Sequence, residues 1–197
     1  MSLWDKKGVA KQIEDLWGRP DEETLREQIA AWVGRPVGAV PGRGNALLDV
    51  GCGSARLGPH LKGWRYTGLD ASKEMLKLAE ARMPRATLVR LDMTNDLPFN
   101  DAEFDTVLCV NVLRHLSDYL PGLREMARVA ASRILIVDNF HDGLDPQFGA
   151  ASVAGQAFPD NQWSLPLFLE DAARELPGST ATTQDFGYVV GVQLLRP

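Results

Sequence analysis

Apolar segments that end in an aspartate recur along the first half of this chain. The segments ALLDV, RYTGLD and ATLVRLDM end at or near Asp49, Asp70 and Asp92, and two further apolar segments follow, FDTVLCVN and SRILIVDNF. Helical patterns lie between them, among them SKEMLKLAEARM and YLPGLREMARVA, and SARLGPHLK is predicted to be a short helix. This alternation predicts a doubly wound, mostly parallel α/β sheet with helices on both faces.

The two ends of the chain complete the predicted fold. The segment TATTQDFGYVVGVQLLRP is interpreted as two β segments bent at Gly187, which brings the sheet to seven strands with an antiparallel C-terminal strand. Residues 5–33 have helical periodicity, and GRPVGAVPGRGN is a glycine- and proline-rich connector. We expect one domain overall, in which residues 1–44 form a helical cap and connector and residues 45–197 form the sheet domain.

A turn with two glycines, Gly51 and Gly53, follows the first predicted strand. Glycine costs conformational entropy, so two in one turn indicate either a sharp strand-to-helix turn or a ligand that approaches the backbone closely. Asp70 lies about 20 residues after Asp49, a spacing that suits the hydroxyl pair of a ribose. An aspartate there would also suit a helix N-cap. The glycine turn favours the ribose interpretation.

The residues around this turn distinguish between nucleoside ligands. A dinucleotide site needs the pattern G-x-G-x-x-G, and here the third glycine position holds Arg56. Asp49, just before the turn, would repel a pyrophosphate. It would instead favour a ligand with a positive group, such as an ammonium or a sulfonium.

Composition and charge narrow the classes of partner. The net charge of -5 gives no electrostatic indication of nucleic-acid binding, which would favour a basic face. The two cysteines, Cys52 and Cys109, belong to no CxxC pair or Cys/His cluster, so no metal is expected. The N-terminal segment lacks the apolar core of a signal peptide, and no apolar run reaches membrane-spanning length. We therefore expect a cytoplasmic protein with no membrane or nucleic-acid partner.

Four segments resemble, in order, the motifs of the class I S-adenosylmethionine-dependent methyltransferases. They are LLDVGCGSARL, YTGLDASKEML, LVRLDMTNDLPF and FDTVLCVNVLRHLSD. The resemblance implies a Rossmann-like methyltransferase fold, S-adenosylmethionine as cofactor and S-adenosylhomocysteine as product. The chain departs from the family in having Ala55 in place of a third glycine, ARVAASRIL in place of a Lys-Pro-Gly-Gly turn, and Arg114-His115 in place of two adjacent histidines.

The same resemblance implies a cofactor-binding role for ten residues. Gly51 and Gly53 would let the backbone pass under the methionine part of the cofactor, and Asp49 would lie near its ammonium. Asp70 would bind the ribose hydroxyls. The remaining members of this predicted site are Cys52 in the glycine turn, Ala71, Asp92 and Met93 beside the adenine, and Val110 or Asn111, either of which would offer a carbonyl to the ammonium.

Two histidines are candidate catalytic residues. A methyltransferase needs a general base only when the acceptor loses a proton, so the reaction can also proceed with no catalytic side chain. His141 follows the fifth strand in VDNFHDG and is the preferred base, because Asp138 and Asp142 would raise its pKa. His115 is the second candidate, and the alternative for it is packing under a helix.

The acceptor is expected to be a small molecule, methylated on oxygen or nitrogen by a monomer or homodimer. Trp4 and Trp163 are predicted to line an apolar acceptor pocket. Three alternatives remain open at this point: a nicotinamide-dependent oxidoreductase, a catalytically silent domain that binds S-adenosylmethionine in a regulatory or partner role, and a methyltransferase that acts on protein or nucleic acid.

Overall fold

The computed structural model describes residues 3–6, 8–35, 45–153 and 156–197. Most of the predicted connector, residues 36–44, lies outside the described residues. Three single turns of 3-10 helix occur at Leu3–Asp5, Gly58–His60 and Leu113–His115. The α-helices are α1 (Val9–Leu16), α2 (Pro20–Val33), α3 (Lys73–Arg82), α4 (Leu120–Val129) and α5 (Leu165–Glu175).

A seven-stranded sheet forms the centre of the molecule. Its strands are β1 (Ala46–Val50), β2 (Arg65–Asp70), β3 (Thr87–Arg90), β4 (Phe104–Val110), β5 (Ala130–Asp138), β6 (Thr180–Asp185) and β7 (Val190–Leu195). Their spatial order is β6-β7-β5-β4-β1-β2-β3. Strands β1 to β5 are parallel, and β7 runs antiparallel to both of its neighbours. The predicted doubly wound, mostly parallel sheet with an antiparallel C-terminal strand is confirmed.

Successive residues of the central strands point to opposite faces, and each face is covered by helices. Leu48 and Val50 of β1 pack in a core with residues of α4 and α5, such as Phe168. Leu47 packs on the other face with residues of α2, such as Ile29. Strand β1 is buried along its whole length, as expected for a strand covered on both sides. The order of the strands reverses at β1, which lies between β2 and β4.

The prediction of a short helix for SARLGPHLK is wrong. This segment forms only the 3-10 turn Gly58–His60. The backbone of Ala55 is still in the left-handed region, with φ of 54°, so a regular helix cannot begin there. Pro59 has no N–H to donate. Helix α2 covers this part of the sheet instead, and its apolar side packs against Leu57 and Leu61.

Two searches of the structure bear on partners and cofactors. None of the helices in the described part of the chain is long and apolar enough to cross a membrane. Among the same residues, no group of three or more histidine, cysteine, aspartate or glutamate side chains could hold a metal ion.

Candidate active site

A cavity of about 540 Å³ opens at the carboxyl ends of β1, β2 and β4. It lies where the strand order reverses, the usual ligand site of an open parallel sheet. Trp4 and residues of α1, among them Ile13, form a roof above the strand ends. All ten residues of the predicted cofactor site line the cavity: Asp49, Gly51, Cys52, Gly53, Asp70, Ala71, Asp92, Met93, Val110 and Asn111.

Gly51 and Gly53, the two glycines of the first turn, are required for different structural reasons. Both have a positive φ, 72° at Gly51 and 53° at Gly53. A Cβ on Gly51 would lie 2.3 Å from Cγ2 of Val112, so this position has no room for a side chain. A Cβ on Gly53 would meet no atom within 4 Å. Because Gly53 lines the cavity, its bare backbone leaves space that a ligand can fill.

The Asp70 carboxylate joins two turns at the edge of the cavity. Its Oδ2 accepts a hydrogen bond from the Gly53 N–H at 2.8 Å, and its Oδ1 accepts one from the Ser72 N–H at 2.8 Å. Burial raises the pKa of Asp70, and these two backbone donors oppose the rise. A carboxylate has about four lone-pair positions, so Asp70 retains the capacity to accept from a diol.

Asp49 is buried beneath the glycine turn and lines the same cavity. The Tyr66 hydroxyl donates a 2.6 Å hydrogen bond to its Oδ2. Burial raises the pKa of Asp49 to about 7, against the opposing effect of the Tyr66 hydrogen bond, and the Asp70 carboxylate adds to the rise. A cation placed in the cavity beside Asp49 would stabilise its ionised form.

Asn111 leaves a polar atom without a partner at the end of β4. Its backbone has a φ of 55°, and its N–H donates to the Val137 carbonyl at 2.7 Å. Its Oδ1 is buried and has no hydrogen-bond partner among the described residues. A buried acceptor without a donor costs free energy. A ligand with an N–H or O–H group in the cavity would offset that cost.

The turn after β3 supplies the other side of the cavity. Oδ1 of Asp92 accepts hydrogen bonds from the Thr94 N–H at 3.0 Å and from its hydroxyl at 2.8 Å. Met93 is buried against α4, where a Cβ on Gly122 would lie 2.4 Å from its Cε. Met93 therefore has a fixed place in the cavity wall.

The N-terminal roof is tied to the cavity at two points. At its beginning, the Trp4 carbonyl accepts from the Ser72 hydroxyl at 3.0 Å, and Asp5 accepts from the Lys73 N–H at 2.7 Å. Arg90 also pairs with Asp5 at 2.7 Å. These bonds join the first 3-10 turn to the N-terminus of α3.

The second tie is centred on Glu14 of α1. Its carboxylate accepts from the Ser54 hydroxyl and from Arg82, and Arg56 pairs with it at 2.8 Å. Burial by itself would raise the pKa of Glu14, but the hydrogen bonds from Ser54 and Arg82 outweigh it and hold the pKa below its ordinary value. Glu14 therefore remains charged and attaches the roof to the glycine turn.

Sequence reasoning missed this cluster. The sequence spacing of Glu14, Arg56 and Arg82 carries no signal, because the three come together only through the fold. Arg56 was informative in the sequence only as the residue that excludes a dinucleotide pattern.

His115 lines the cavity beside Trp4, and their ring centroids are 4.9 Å apart. Its Nδ1 lies 2.7 Å from the Pro159 carbonyl oxygen, a pure acceptor, so Nδ1 carries the hydrogen. Burial lowers the pKa of His115 and favours the neutral ring, in which Nε2 is the basic nitrogen. Beneath this turn, Asp138 accepts from the Leu113 N–H at 2.7 Å and holds the backbone that carries His115.

The preference for His141 as the base needs correction. His141 is not among the described residues that line the cavity. It lies in a short strand, Phe140–His141, that pairs with Trp163–Ser164, and its Nδ1 accepts from the Gly143 N–H at 3.0 Å. Asp138 is used by backbone N–H groups, among them that of Asn139 at 2.8 Å.

Trp163 also departs from its predicted role as a pocket residue. Its side chain belongs to the core, 7% exposed, and packs 4.8 Å from the ring of Tyr119. Its indole N–H donates to the Leu113 carbonyl at 2.8 Å. Trp163 therefore supports the Leu113–His115 turn from below, whereas Trp4 does line the cavity.

The part of the cavity beyond His115 is mainly apolar. Arg114 and Asp160, also at this end, form an ion pair at 2.7 Å and so balance each other's charge. The apolar residues that the contacts place here are Trp4, which packs on His115, and Ile13 and Ala151, which belong to the same apolar cluster as Trp4.

Comparisons with known proteins agree with this geometry. A family model described as "Methyltransferase domain" matches residues 48–136. The chain is 33% identical over 171 residues to the O-methyltransferase resE of Aspergillus sclerotiorum, a match that covers 81% of this chain and 65% of that protein. The first three relatives are covered over 50%, 65% and 63% of their lengths, so the chain spans about half to two thirds of the curated relatives that it matches.

Solved structures share the whole fold. A SAM-dependent methyltransferase from Aquifex aeolicus superposes with a TM-score of 0.68 at 21% identity, over 95% of this chain and 98% of that one. The 1,6-didemethyltoxoflavin-N1-methyltransferase of Burkholderia thailandensis, solved with 1,6-didemethyltoxoflavin and S-adenosylhomocysteine, superposes with a TM-score of 0.69 at 18% identity, over 95% of this chain and 84% of that one.

The sheet and its cavity define a Rossmann-like nucleoside-binding fold. The matched family model and the ordered motifs around the cavity identify residues 48–136 as a class I S-adenosylmethionine-dependent methyltransferase domain.

Replacement of Trp163 by Phe is expected to lower the free energy of unfolding and to leave acceptor affinity unchanged. The variant loses the hydrogen bond to the Leu113 carbonyl and part of a buried ring, which costs roughly 1–3 kcal/mol. Denaturant unfolding would measure this loss, and the matched variant Trp4→Phe should instead weaken acceptor binding. If Trp163→Phe binds the acceptor more weakly and is as stable as the wild type, Trp163 would be a pocket residue after all.

Replacement of Glu14 by Gln is expected to speed the dissociation of a ligand from beneath the roof. The neutral amide cannot hold two guanidinium groups, so α1 is bound less firmly to the glycine turn. Stopped-flow measurement of ligand release would test this, with Glu175→Gln as the control, since Glu175 pairs with Arg124 at 2.9 Å and does not line the cavity. Equal release rates in the wild type and Glu14→Gln would contradict the role of this cluster.

Proposed function

We propose that this chain transfers a methyl group from S-adenosylmethionine to an oxygen or nitrogen atom of a small apolar acceptor. The observation that carries the proposal is that one cavity is lined both by the glycine turn with the strand-end acids and by His115 with the apolar cluster of Trp4, Ile13 and Ala151. When bound, S-adenosylmethionine supplies an activated methyl group on a sulfonium.

The cofactor end of the cavity fits this molecule by its donor and acceptor pattern. Asp70 would accept from the ribose hydroxyls, and the bare backbone of Gly53 leaves room for the chain next to it. Asp49 and the buried Oδ1 of Asn111 would face the ammonium group, which provides both the charge and the donors that these two side chains lack. Asp92 and Met93 would lie beside the adenine.

The acceptor end supports a small organic molecule. Its apolar side chains would remove water from the acceptor, and the two charged residues beside His115, Arg114 and Asp160, pair with each other. In a bimolecular displacement the main task of the protein is to hold the acceptor in line, so a close-fitting apolar wall contributes directly to the rate. The relative resE is named as an O-methyltransferase, and the 1,6-didemethyltoxoflavin-N1-methyltransferase was solved with the small molecule of its name, which together support a small acceptor methylated on oxygen or nitrogen.

His115 is the proposed general base for acceptors that lose a proton. The bond between its Nδ1 and Pro159 sets the tautomer, so Nε2 is the nitrogen that would take the proton. The lowered pKa keeps the ring neutral near pH 7. An acceptor that is already deprotonated would not need this step.

Replacement of Asp70 by Ala is expected to abolish or strongly weaken cofactor binding. The variant loses the ribose acceptor and the link between Gly53 and Ser72. Calorimetry with S-adenosylmethionine, S-adenosylhomocysteine and the oxidised and reduced nicotinamide nucleotides should show binding of only the two sulfur nucleosides to the wild type. Binding of nicotinamide nucleotides alone would overturn the proposal, and cofactor binding without turnover on any acceptor would identify a silent binding domain.

Replacement of His115 by Gln is expected to lower turnover of a hydroxyl acceptor by about 100-fold or more, the usual contribution of a general base. The glutamine amide retains a donor for the Pro159 carbonyl, so cofactor affinity should not change. Steady-state kinetics on a phenol identified by an acceptor screen would test this, with His141→Gln as the control. A loss of turnover in His141→Gln equal to that in His115→Gln would refute the assignment.

A further inference from the structure

We propose that Tyr66 is a positioning residue of the cofactor site, whose hydroxyl donates to one oxygen of Asp49 and orients the carboxylate so that its other oxygen faces the ammonium group of the cofactor. The inference rests on the proposed function and deepens it. It assigns a role to a residue outside the motif positions, and it identifies the group that favours the ionised form of an acid without a cation.

The geometry of the pair is set by the register of two neighbouring strands. Asp49 of β1 lies opposite Gly68 of β2, and Tyr66 comes two residues earlier on the same face of β2. The Tyr66 hydroxyl reaches Oδ2 of Asp49 at 2.6 Å, and both side chains are buried. A short bond to an ionised acceptor is stronger than a bond between neutral groups.

Gly68 gives this pair the room that it needs. A Cβ at Gly68 would lie 2.8 Å from Sγ of Cys52 and 3.2 Å from Cε1 of Tyr66. A side chain there would displace the Tyr66 ring or the Cys52 thiol. The glycine therefore lets Tyr66 pass under the turn and reach Asp49.

Among the ionisable groups around Asp49, only the phenol of Tyr66 stabilises the ionised carboxylate in the described part of the chain. Asp70 at the end of β2 disfavours a second negative charge. Burial raises the pKa of the thiols of Cys52 in the turn and Cys109 in β4, so both remain neutral. Among the residues that the structure describes, no lysine or arginine contributes to the ionisation of Asp49.

The oxygen of Asp49 that Tyr66 does not hold is the one left for a ligand, because Asp49 lines the cavity. An ammonium group placed there would pair with a carboxylate that the phenol has already oriented and whose ionised form the phenol favours. Without the phenol, burial would favour the neutral carboxylic acid, and the ligand would first have to displace a proton.

The test compares the pH dependence of cofactor affinity in the wild type and in Tyr66→Phe. Calorimetry with S-adenosylhomocysteine would run from about pH 6 to about pH 8.5, where both a carboxyl of raised pKa and an α-amino group titrate. Wild-type affinity should fall below about pH 7, where Asp49 takes up a proton. In Tyr66→Phe this fall should begin at a higher pH, with a loss of roughly tenfold at pH 7 that is recovered at alkaline pH.

A matched control is available in the same chain. Tyr119 donates an equally short bond, 2.6 Å, to Asp171, and it does not line the cavity. Tyr119→Phe should leave the pH profile unchanged. If Tyr66→Phe does not fold, Asp49→Asn provides the second test, because the fall in affinity at acidic pH should disappear.

Three results would count against the inference. Equal pH profiles in the wild type and Tyr66→Phe, or a loss of affinity that is the same at every pH, would show that Tyr66 has only a structural role. Either result would leave the proposed function intact. Failure of the wild type to bind S-adenosylmethionine and S-adenosylhomocysteine at any pH would overturn the proposed function and this inference with it.

Discussion

The shape of the cavity depends on the carboxylate of Asp70, which links two of its turns by hydrogen bonds. It accepts one backbone hydrogen bond from Gly53 in the turn after β1 and one from Ser72 at the start of α3. The hydroxyl of Ser72 accepts from the Met75 N–H and donates to the Trp4 carbonyl. The glycine turn, the N-terminus of α3 and the N-terminal roof are thus held in register by two adjacent polar side chains. A ligand that adds donors to Asp70 would strengthen the same link.

Three buried acids surround this region, and they differ in how the protein compensates their charge. Asp138 receives backbone N–H groups from Leu113 and Asn139, and Asp70 receives two others. Asp49 receives only the Tyr66 phenol among the described residues. A buried charge without a cation is expensive. The acid with the weakest internal compensation is therefore the one most in need of a positive ligand, which agrees with a cofactor that carries an ammonium group.

The sequence predicted those features that depend on local patterns. Strand-end acids, glycine positions and apolar periodicity are short-range signals, so the mostly parallel sheet and the grouping of Asp70 with Gly53 at its edge followed from them. The bond from Tyr66 to Asp49 depends on the register between two strands, which no local pattern encodes.

The two errors in the active site have the same origin. His141 follows β5 in the chain, and this placed it at the rim of the predicted cavity. A short pairing between Phe140–His141 and Trp163–Ser164 fixes both segments elsewhere and carries Trp163 into the core. Glu14 escaped notice because its partners, Arg56 and Arg82, are brought to it only by the complete fold.

The residues that line the cavity come from two parts of the chain, and only one of these parts is matched by the family model. The matched segment, residues 48–136, contains every residue of the cofactor end. The proposed acceptor end combines His115 from this segment with Trp4 and Ile13 from the roof and Ala151 from the short strand Ala150–Val153. Cofactor chemistry requires the same acids and glycines whatever the acceptor is, whereas each acceptor needs its own wall. We therefore expect the roof and the segment around Ala151 to set acceptor specificity, with the Glu14 cluster as the contact that joins the roof to the glycine turn.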